Sequence, residues 1–583
     1  MMRRGIVAFI ANDADAGLID DVARRFGLRS LAADQELRLF AGNAIADRVM
    51  PDGAILLGDI FSRSGATCHS PSDGWGSFLA FSPVDAGWRI DRAPLTGLPL
   101  YWTRWRGGIL CTSHLEIIAE LIDPIAVDWE FAAQALVYSN LRTERTGIVG
   151  LSELPPGMRL EWDGKEPQTK MFWSPWAYVE KARTAGIAEL APELERRLIG
   201  AVSAWSESRP NIMLELSGGL DSSIVAAALT GAGAEYTAVN FVTRGADGDE
   251  RHYAHAVAKH CGIELIEAEL DPADIDLDAG AAVTGPRPGA YAVLRGIDCA
   301  FERIVESREV SVFGGIGGDN IFSFDGSVSP FLDAAMTFGL GRRAFEVLRD
   351  VARGGGATLW DAGRLSWQAW RRGPRNGWRS ETEFIRKEAI PTAPFAHPWD
   401  EGAREARQAK RNHVEAVRRI LDFVDRPLRW ADRDVIAPLL SQPVVEFCLS
   451  VPSWTWIEGG RDRAVARAAF ARRLPPEVVW RRGKGRIESL ATESYLRQRQ
   501  QIRELLLGGR LVAQGLLDPS AVEAYLRRDL ADGDFLYFRL LEIADVELWV
   551  RSVEALSAAG PSLDQRTYCA DLAGSGSTSP LSQ

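Results

Sequence analysis

At 583 residues the chain is too long for one hydrophobic core and predicts two to four domains. Its 46% hydrophobic and 25% charged residues are those of an ordinary globular protein. A net charge of −12 excludes a broad basic face for nucleic acid or for a membrane surface, but leaves room for a local phosphate site.

Along the chain, the apolar run 6–11 follows Arg3 and Arg4 and is stopped by Asn12-Asp13 with no small-residue cleavage site, which predicts a first strand and not a signal peptide. No apolar run reaches a membrane-spanning length, so a cytoplasmic protein is expected. Further short strand-like runs at 54–57, 78–81, 88–90 and 109–112, then helical periodicity at 115–121 and 129–137, predict a layered α+β domain with antiparallel sheets over residues 1–180.

The pattern changes near residue 185. A helix at 188–205 feeds an alternation of strand 212–216, helix 222–230, strand 236–242, helix 250–261, strand 264–268, helix 291–306 and strand 310–313. Apolar strands alternating with helices predict an α/β domain with a parallel sheet, assigned to 185–555, whose ligands bind at the carboxyl ends of the strands. Residues 330–550 read as mostly helical. They carry Trp360, Trp367, Trp370, Trp378, Trp399, Trp430, Trp454, Trp456 and Trp480, expected as the core of a helical subdomain or, alternatively, the lining of an aromatic cavity. The small, polar stretch 556–583 predicts a disordered tail. The six cysteines, Cys68, Cys111, Cys261, Cys299, Cys448 and Cys569, form no C-x-x-C pair, which predicts reduced thiols and no zinc knuckle.

The strongest chemical signal is Leu214-Glu215-Leu216-Ser217-Gly218-Gly219-Leu220-Asp221-Ser222-Ser223. A strand runs into small residues that open a helix, so backbone amides, hydroxyls and the helix N-terminus can converge on an anion. Asp221 is a poor phosphate ligand but suits a Mg²⁺ ion that bridges phosphates. No G-x-x-x-x-G-K-[ST] is present, so this is not a Walker A loop.

S-G-G-L-D-S-S resembles the pyrophosphate loop of the asparagine synthetase B superfamily, and other segments agree with it. Asp249-Glu250 with Tyr253-Ala254 resembles the family's D-E-x-x-Y-A, and Gly314-Gly315-Ile316-Gly317-Gly318-Asp319-Asn320 its G-x-G-G-D-E loop. Pro438-Leu439-Leu440-Ser441 resembles P-F-L-D, and Arg482-Gly483-Lys484-Gly485 falls in a segment like R-x-K-x-G. Asp59, Asp91-Arg92 and Leu154-Pro155-Pro156-Gly157 resemble segments of the amino-terminal glutaminase-type (Ntn-type) domain, so the likeness spans about residues 1–550. It implies an ATP pyrophosphatase domain using ATP and Mg²⁺. The implied nucleotide site is Leu216, Ser217, Gly218, Gly219, Asp221, Ser222, Phe241, Asp249, Gly314, Gly315 and Lys484. Asp221 and Asp319 are the implied metal ligands, and Lys484 joins them as catalytic.

Two departures narrow the resemblance. Family members that hydrolyse glutamine begin M-C-G-I; here Gly5-Ile6 is preceded by Arg4, so the nucleophilic cysteine is absent. Ile316 replaces the acidic or tyrosyl residue that asparagine and β-lactam synthetases use, and Asn320 follows the loop aspartate. Together these resemble the lasso-peptide macrocyclases, which adenylate an Asp or Glu side chain of a ribosomal peptide and close an isopeptide bond with its N-terminal amine. The implied partners are a precursor peptide of leader plus core, a leader-recognition protein and a leader protease. An ammonia-dependent asparagine synthetase, a small-molecule amide or β-lactam synthetase and an inactive scaffold are the alternatives.

Overall fold

Twelve strands, all paired antiparallel, build the amino-terminal domain of the computed structural model, which describes residues 2–11, 16–33, 36–63, 68, 70–85, 87–122, 124–181, 185–243, 249–275, 277, 285–289, 291–306, 308–373, 378–424, 433–481, 488–531 and 533–559. They are β1 (Ile6–Ile10), β2 (Arg29–Ala33), β3 (Leu37–Ala41), β4 (Asp47–Val49), β5 (Ile55–Ser62), β6 (Gly74–Val84), β7 (Gly87–Arg92), β8 (Tyr101–Trp105), β9 (Gly108–Thr112), β10 (Ser152–Glu153), β11 (Met158–Trp162) and β12 (Pro167–Met171). One sheet has the order β10-β8-β9-β1-β3-β2 and the other β12-β11-β7-β6-β5-β4.

The apolar run that begins β1 is unbroken because both of its faces are covered. Ile6, Ala8 and Ile10 pack on Leu57, Leu79 and Phe81 of the second sheet. Val7 and Phe9, pointing the other way, pack on Ile19 and Val22 of the helix Ala16–Arg25. The second sheet meets the carboxyl-terminal domain through Phe61 and Trp75, whose rings lie 4.7 and 6.0 Å from that of Trp205 on the helix Ile187–Ser206.

That second domain holds the expected parallel sheet, with β13 (Ile212–Glu215), β14 (Tyr236–Val242), β15 (Leu265–Glu269), β16 (Ser311–Gly314) and β17 (Asp434–Ile436) in the order β15-β14-β13-β16-β17. The chain steps outward from β13 to β15, then returns to lay β16 on the other side of β13. The topological switch therefore falls between β13 and β16, where a crevice opens at the carboxyl ends. β17 was not anticipated as a strand; it is three residues long and pairs only with β16.

Two expectations need correction. Trp456 and Trp399 are core residues, but Trp360, Trp367 and Trp370 are neither core nor cavity lining: they face outward. The final helix, Tyr537–Ala559, runs through the first residues assigned to the tail, the rest of which lies outside the described residues, as does Trp430. The five described cysteines are free, and among the described residues no helix is long and apolar enough to cross a membrane.

Charged groups clamp the domains together. Arg4 donates to Asp434 on β17 at 3.1 Å, and Arg209 bridges Asp434 at 2.6 Å and Asp59 at 2.5 Å. Deeper, the fully buried Glu153 accepts from Arg92 at 2.8 Å and from Arg142 at 2.9 Å, while Arg287, itself paired with Asp422, lies 3.4 Å away. Burial alone raises the affinity of this carboxylate for a proton; Arg142, Arg287 and Arg92 outweigh it and pull its pKa down to about 2.

Removing one member of such a cluster strands buried charge, so Glu153→Gln is expected to cost roughly 3–5 kcal/mol in denaturant unfolding at pH 7. Because the folded-state pKa is depressed, that stability is present above the ordinary carboxyl range and is lost as pH falls toward about 2. The gap between wild type and variant should therefore be constant above pH about 5 and close below it. A gap under about 1 kcal/mol at pH 7 would show that the cluster does not hold the junction.

Candidate active site

The loop after β13 is built by glycine. Gly218 has φ +75°, and a Cβ there would lie 2.8 Å from both the Ala254 nitrogen and the Tyr253 Cβ. The loop thus sits directly on the segment that begins at Asp249. Leu216 is buried and its carbonyl accepts from Asn240 of β14 at 2.7 Å, which pins the strand end from which the loop departs. Ser217 Oγ lies 3.1 Å from Ser222 Oγ and accepts from the Gly219 amide at 3.3 Å, closing the loop on itself. The helix Leu220–Ala232 starts with Gly219 at its N-cap, so no side chain covers its first turn and its positive end faces the crevice.

The loop after β16 locks into the first. A Cβ on Gly315 would stand 2.4 Å from the Ser222 nitrogen, and one on Gly318 would stand 2.2 Å from the Asp221 Cγ. Gly317, at φ +90°, lies against Leu440, and Asn320 donates to the Ala416 carbonyl at 2.8 Å. His413, buried and with its pKa lowered by burial to about 3, is a neutral imidazole whose Nε2–H donates to the Ile321 carbonyl at 2.8 Å. The helix Gln408–Val424 therefore holds the turn that carries Asp319, and Asn320 has become an anchor of that turn. Ser441, standing where the family pattern has an aspartate, accepts from Trp205 Nε1 at 2.9 Å.

Asp221 and Asp319, drawn from adjacent strands, converge on one nitrogen of Arg463. Its Nη1 donates to Asp221 Oδ1 at 3.2 Å and to Asp319 at shorter range. Sequence reasoning missed Arg463. It precedes the helix Ala464–Phe470 with φ +51°, its guanidinium is tied to Asp462 at 2.9 Å, and it lies over the exposed Phe324 ring at 5.1 Å. Burial disfavours its charge, but Asp221 and Asp319 outweigh that and raise its pKa further. The only sequence signal was a basic pair, Arg461 and Arg463, ahead of an alanine-rich helix.

Two carboxylates sharing one cation form a fitting place for Mg²⁺, an ion commonly held by one or two carboxylates together with substrate phosphates. Asp221 and Asp319 are the residues that would hold it.

The remaining predicted residues fall around this centre. Phe241 is half-buried near the end of β14, beside the loop strand, and Gly314 ends β16 opposite Glu215. Asp249 is exposed and its carboxylate takes 2.7 and 2.9 Å hydrogen bonds from Arg251, which hold its pKa down to about 2. Its neighbour Glu250 instead pairs with Arg481 at 2.8 Å, and Arg481 stacks over Tyr253 at 3.9 Å. Arg481, three residues before Lys484, thus touches Tyr253, on which Gly218 of the loop also packs; Lys484 itself lies outside the described residues.

The interlocking of the loops predicts that Gly318→Ala pushes the Asp221 carboxylate aside. Calorimetric titration with Mg·ATP should show at least about tenfold weaker binding, since misplacing a charged ligand by about 1 Å is costly. Unchanged affinity would mean that the two loops do not form one site.

The sequence pattern of the family described as asparagine synthase matches residues 193–551. No curated protein matches the chain. The matched stretch is most of the protein, covers the parallel sheet and both glycine loops, and shows that the chain belongs to the asparagine synthase family, whose members use ATP to form C–N bonds.

Proposed function

We propose that this ligase is a lasso-peptide macrocyclase, activating an Asp or Glu side chain of a ribosomal peptide with ATP and joining it to the peptide's own N-terminal amine. The observation that carries this reading is Arg4. It stands where a glutamine-hydrolysing relative would have its nucleophile, and its guanidinium is committed to Asp434 across the domain junction. The amino-terminal domain, glutaminase-like in its two antiparallel sheets, then acts as a brace, and the amine comes from the acceptor itself. Ile316, half-buried against the core, offers no acid or base beside the loop, so proton removal is not assigned to that position.

In this reading the chain's contribution is largely placement. The loop 217–222 and the uncapped helix end receive the phosphates, and Arg463 neutralises charge on the departing pyrophosphate. Mg²⁺ on Asp221 and Asp319 supplies charge neutralisation at the phosphates when bound. Lys484 is assigned to the oxyanion of the acyl-transfer step, a preorganised charge worth roughly 3–4 kcal/mol of barrier. The exposed rings of Phe324 and Trp480, stacked under Arg463 and Arg461, give the mouth an aromatic rim suited to a peptide. Holding amine and activated carbon about 3–3.5 Å apart can supply roughly 7–11 kcal/mol. The precursor peptide and proteins that recognise and remove its leader are the partners this chemistry requires, in the cytoplasm where ATP is at hand.

Co-expression with the neighbouring short reading frame and its leader-processing proteins tests the proposal by mass spectrometry. The expected product has lost one water and resists carboxypeptidase, and Asp221→Ala, Asp319→Ala and Lys484→Ala each abolish it. A linear peptide, together with asparagine made from aspartate, ammonia and ATP, would instead establish a small-molecule ligase.

A further inference from the structure

The three helices Ser329–Phe338, Arg342–Gly354 and Leu359–Arg372 pack on one another and turn an unusual surface outward. The last of them fully buries only Ala362 and Ser366, one turn apart, and presents its large residues to solvent. Trp360, Trp367 and Trp370 are 81%, 59% and 63% exposed, and the rings of Trp367 and Trp370 lie 5.2 Å apart. Met336, Leu340 and Phe345 on the neighbouring helices and their linker are exposed too. A helix that packs by its small residues and leaves its tryptophans in water has its amphipathic order reversed. At roughly 150–250 Å² per aromatic side chain, the exposed parts of the three tryptophans and Phe345 come to roughly 400–650 Å², before Met336 and Leu340 are counted. That lies at the upper end of the roughly 300–600 Å² of an ordinary monomer's largest patch, which is often functional, and approaches the roughly 800 Å² of one side of a standard interface.

Charge selects the occupant. Residues 340–373 carry seven arginines, all exposed, against the half-exposed Glu346 and Asp361 and the buried Asp350. The segment is therefore +4, and the rest of the chain, −12 less +4, is −16. Each acid lies within 4 Å of one arginine of the segment, at 3.0, 3.8 and 3.7 Å for Arg342, Arg349 and Arg364, which leaves four arginines in excess. Glu346 pairs with Arg342 at 3.0 Å, Asp361 accepts from Thr358 Oγ1 at 2.7 Å, and Asp350 accepts from the Gly459 amide at 3.0 Å. The surface is therefore dominated by tryptophan and arginine, residues enriched at protein-interface hot spots. A second copy docked symmetrically would set +4 against +4, which disfavours it.

The inner side of the unit connects this surface to the active site. Asp333 accepts from Ser453 Oγ at 3.0 Å, and Phe338 meets the Trp454 ring at 5.1 Å. Both contacts grip Ser453–Gly460, the segment that leads within three residues to Arg463. We propose that the tryptophan–arginine face docks an acidic, amphipathic segment of a polypeptide partner, held outside the site while a carboxylate is presented to the nucleotide site around the loop 217–222. The choice of a polypeptide over an anionic bilayer rests on the peptide-ligase reading; the existence of the docking face does not.

The test uses the full chain and the variant Trp360→Ser/Trp367→Ser/Trp370→Ser, with two labelled synthetic 20-residue amphipathic helices that share one apolar face and carry either glutamate or lysine on the other. In fluorescence anisotropy the acidic peptide should bind at least tenfold more tightly than its basic twin. It should weaken at least tenfold on the triple variant, and weaken again between 50 and 300 mM salt. Equal binding of the twins, or equal binding to both proteins, overturns the proposal. Sedimentation with vesicles of 30% phosphatidylserine that the variant loses would overturn it in favour of a membrane surface. A wild-type dimer in sedimentation velocity that the variant loses would favour self-association. Mg·ATP binding should be the same in both proteins, so a docking result stands or falls separately from the ligase reading.

Discussion

Two carboxylates forced into one small space govern the rest of this structure. Asp221 and Asp319 come from neighbouring parallel strands, and the loops that carry them approach so closely that Gly315 and Gly318 leave no room for a Cβ. Like charges at that separation require a cation, and Arg463 provides one from a third part of the chain. The sheet order places the loops side by side, the helix Gln408–Val424 fixes the second of them, and the backbone at Arg463 adopts a left-handed conformation at the point where the guanidinium is held. A site held this rigidly before substrate arrives suits chemistry that depends on charge placement.

The amino-terminal domain is tied to this centre from behind. Arg4 and Arg209 share Asp434, which begins β17 at the edge of the parallel sheet, and Asp59 of β5 completes the link. Burial pushes the Asp434 pKa up, and the two arginines more than offset it, so the carboxylate stays charged. Arg4, which the sequence likeness sets at the position of a glutaminase nucleophile, is part of this clamp. In the proposed reading, this contact is the sense in which the amino-terminal domain braces the ligase.

Much of this was legible in the sequence where local pattern and tertiary environment agree. Tyr236–Val242 and Trp129–Val137 form over the predicted residues, because a mostly apolar run suits a strand flanked on both sides in a parallel sheet and Asp128 caps the helix Trp129–Val137. The glycine loops were legible because their conformation demands glycine. β17 was not, since three residues carry no periodicity, and the segment reads equally as a turn before Pro438. Arg463 was hidden because nothing local distinguishes it from the other arginines; only the approach of two distant loops gives it a role. Tryptophan content could not separate Trp456, buried beside Phe322, from Trp360 in solvent, because burial depends on which face of each helix the neighbours cover. Asp249 and Glu250 show the same limit at one-residue scale: the first bonds to Arg251, two residues along the chain, and the second reaches Arg481.

The most direct test of the account is the identity of the nucleotide product. Purified protein incubated with Mg·ATP and the leader-free substrate peptide should release AMP and pyrophosphate in equal amounts, only when the peptide carries its acceptor carboxylate, and not when Asp319 is alanine. Release of ADP and phosphate, or AMP formation indifferent to the peptide, would contradict it.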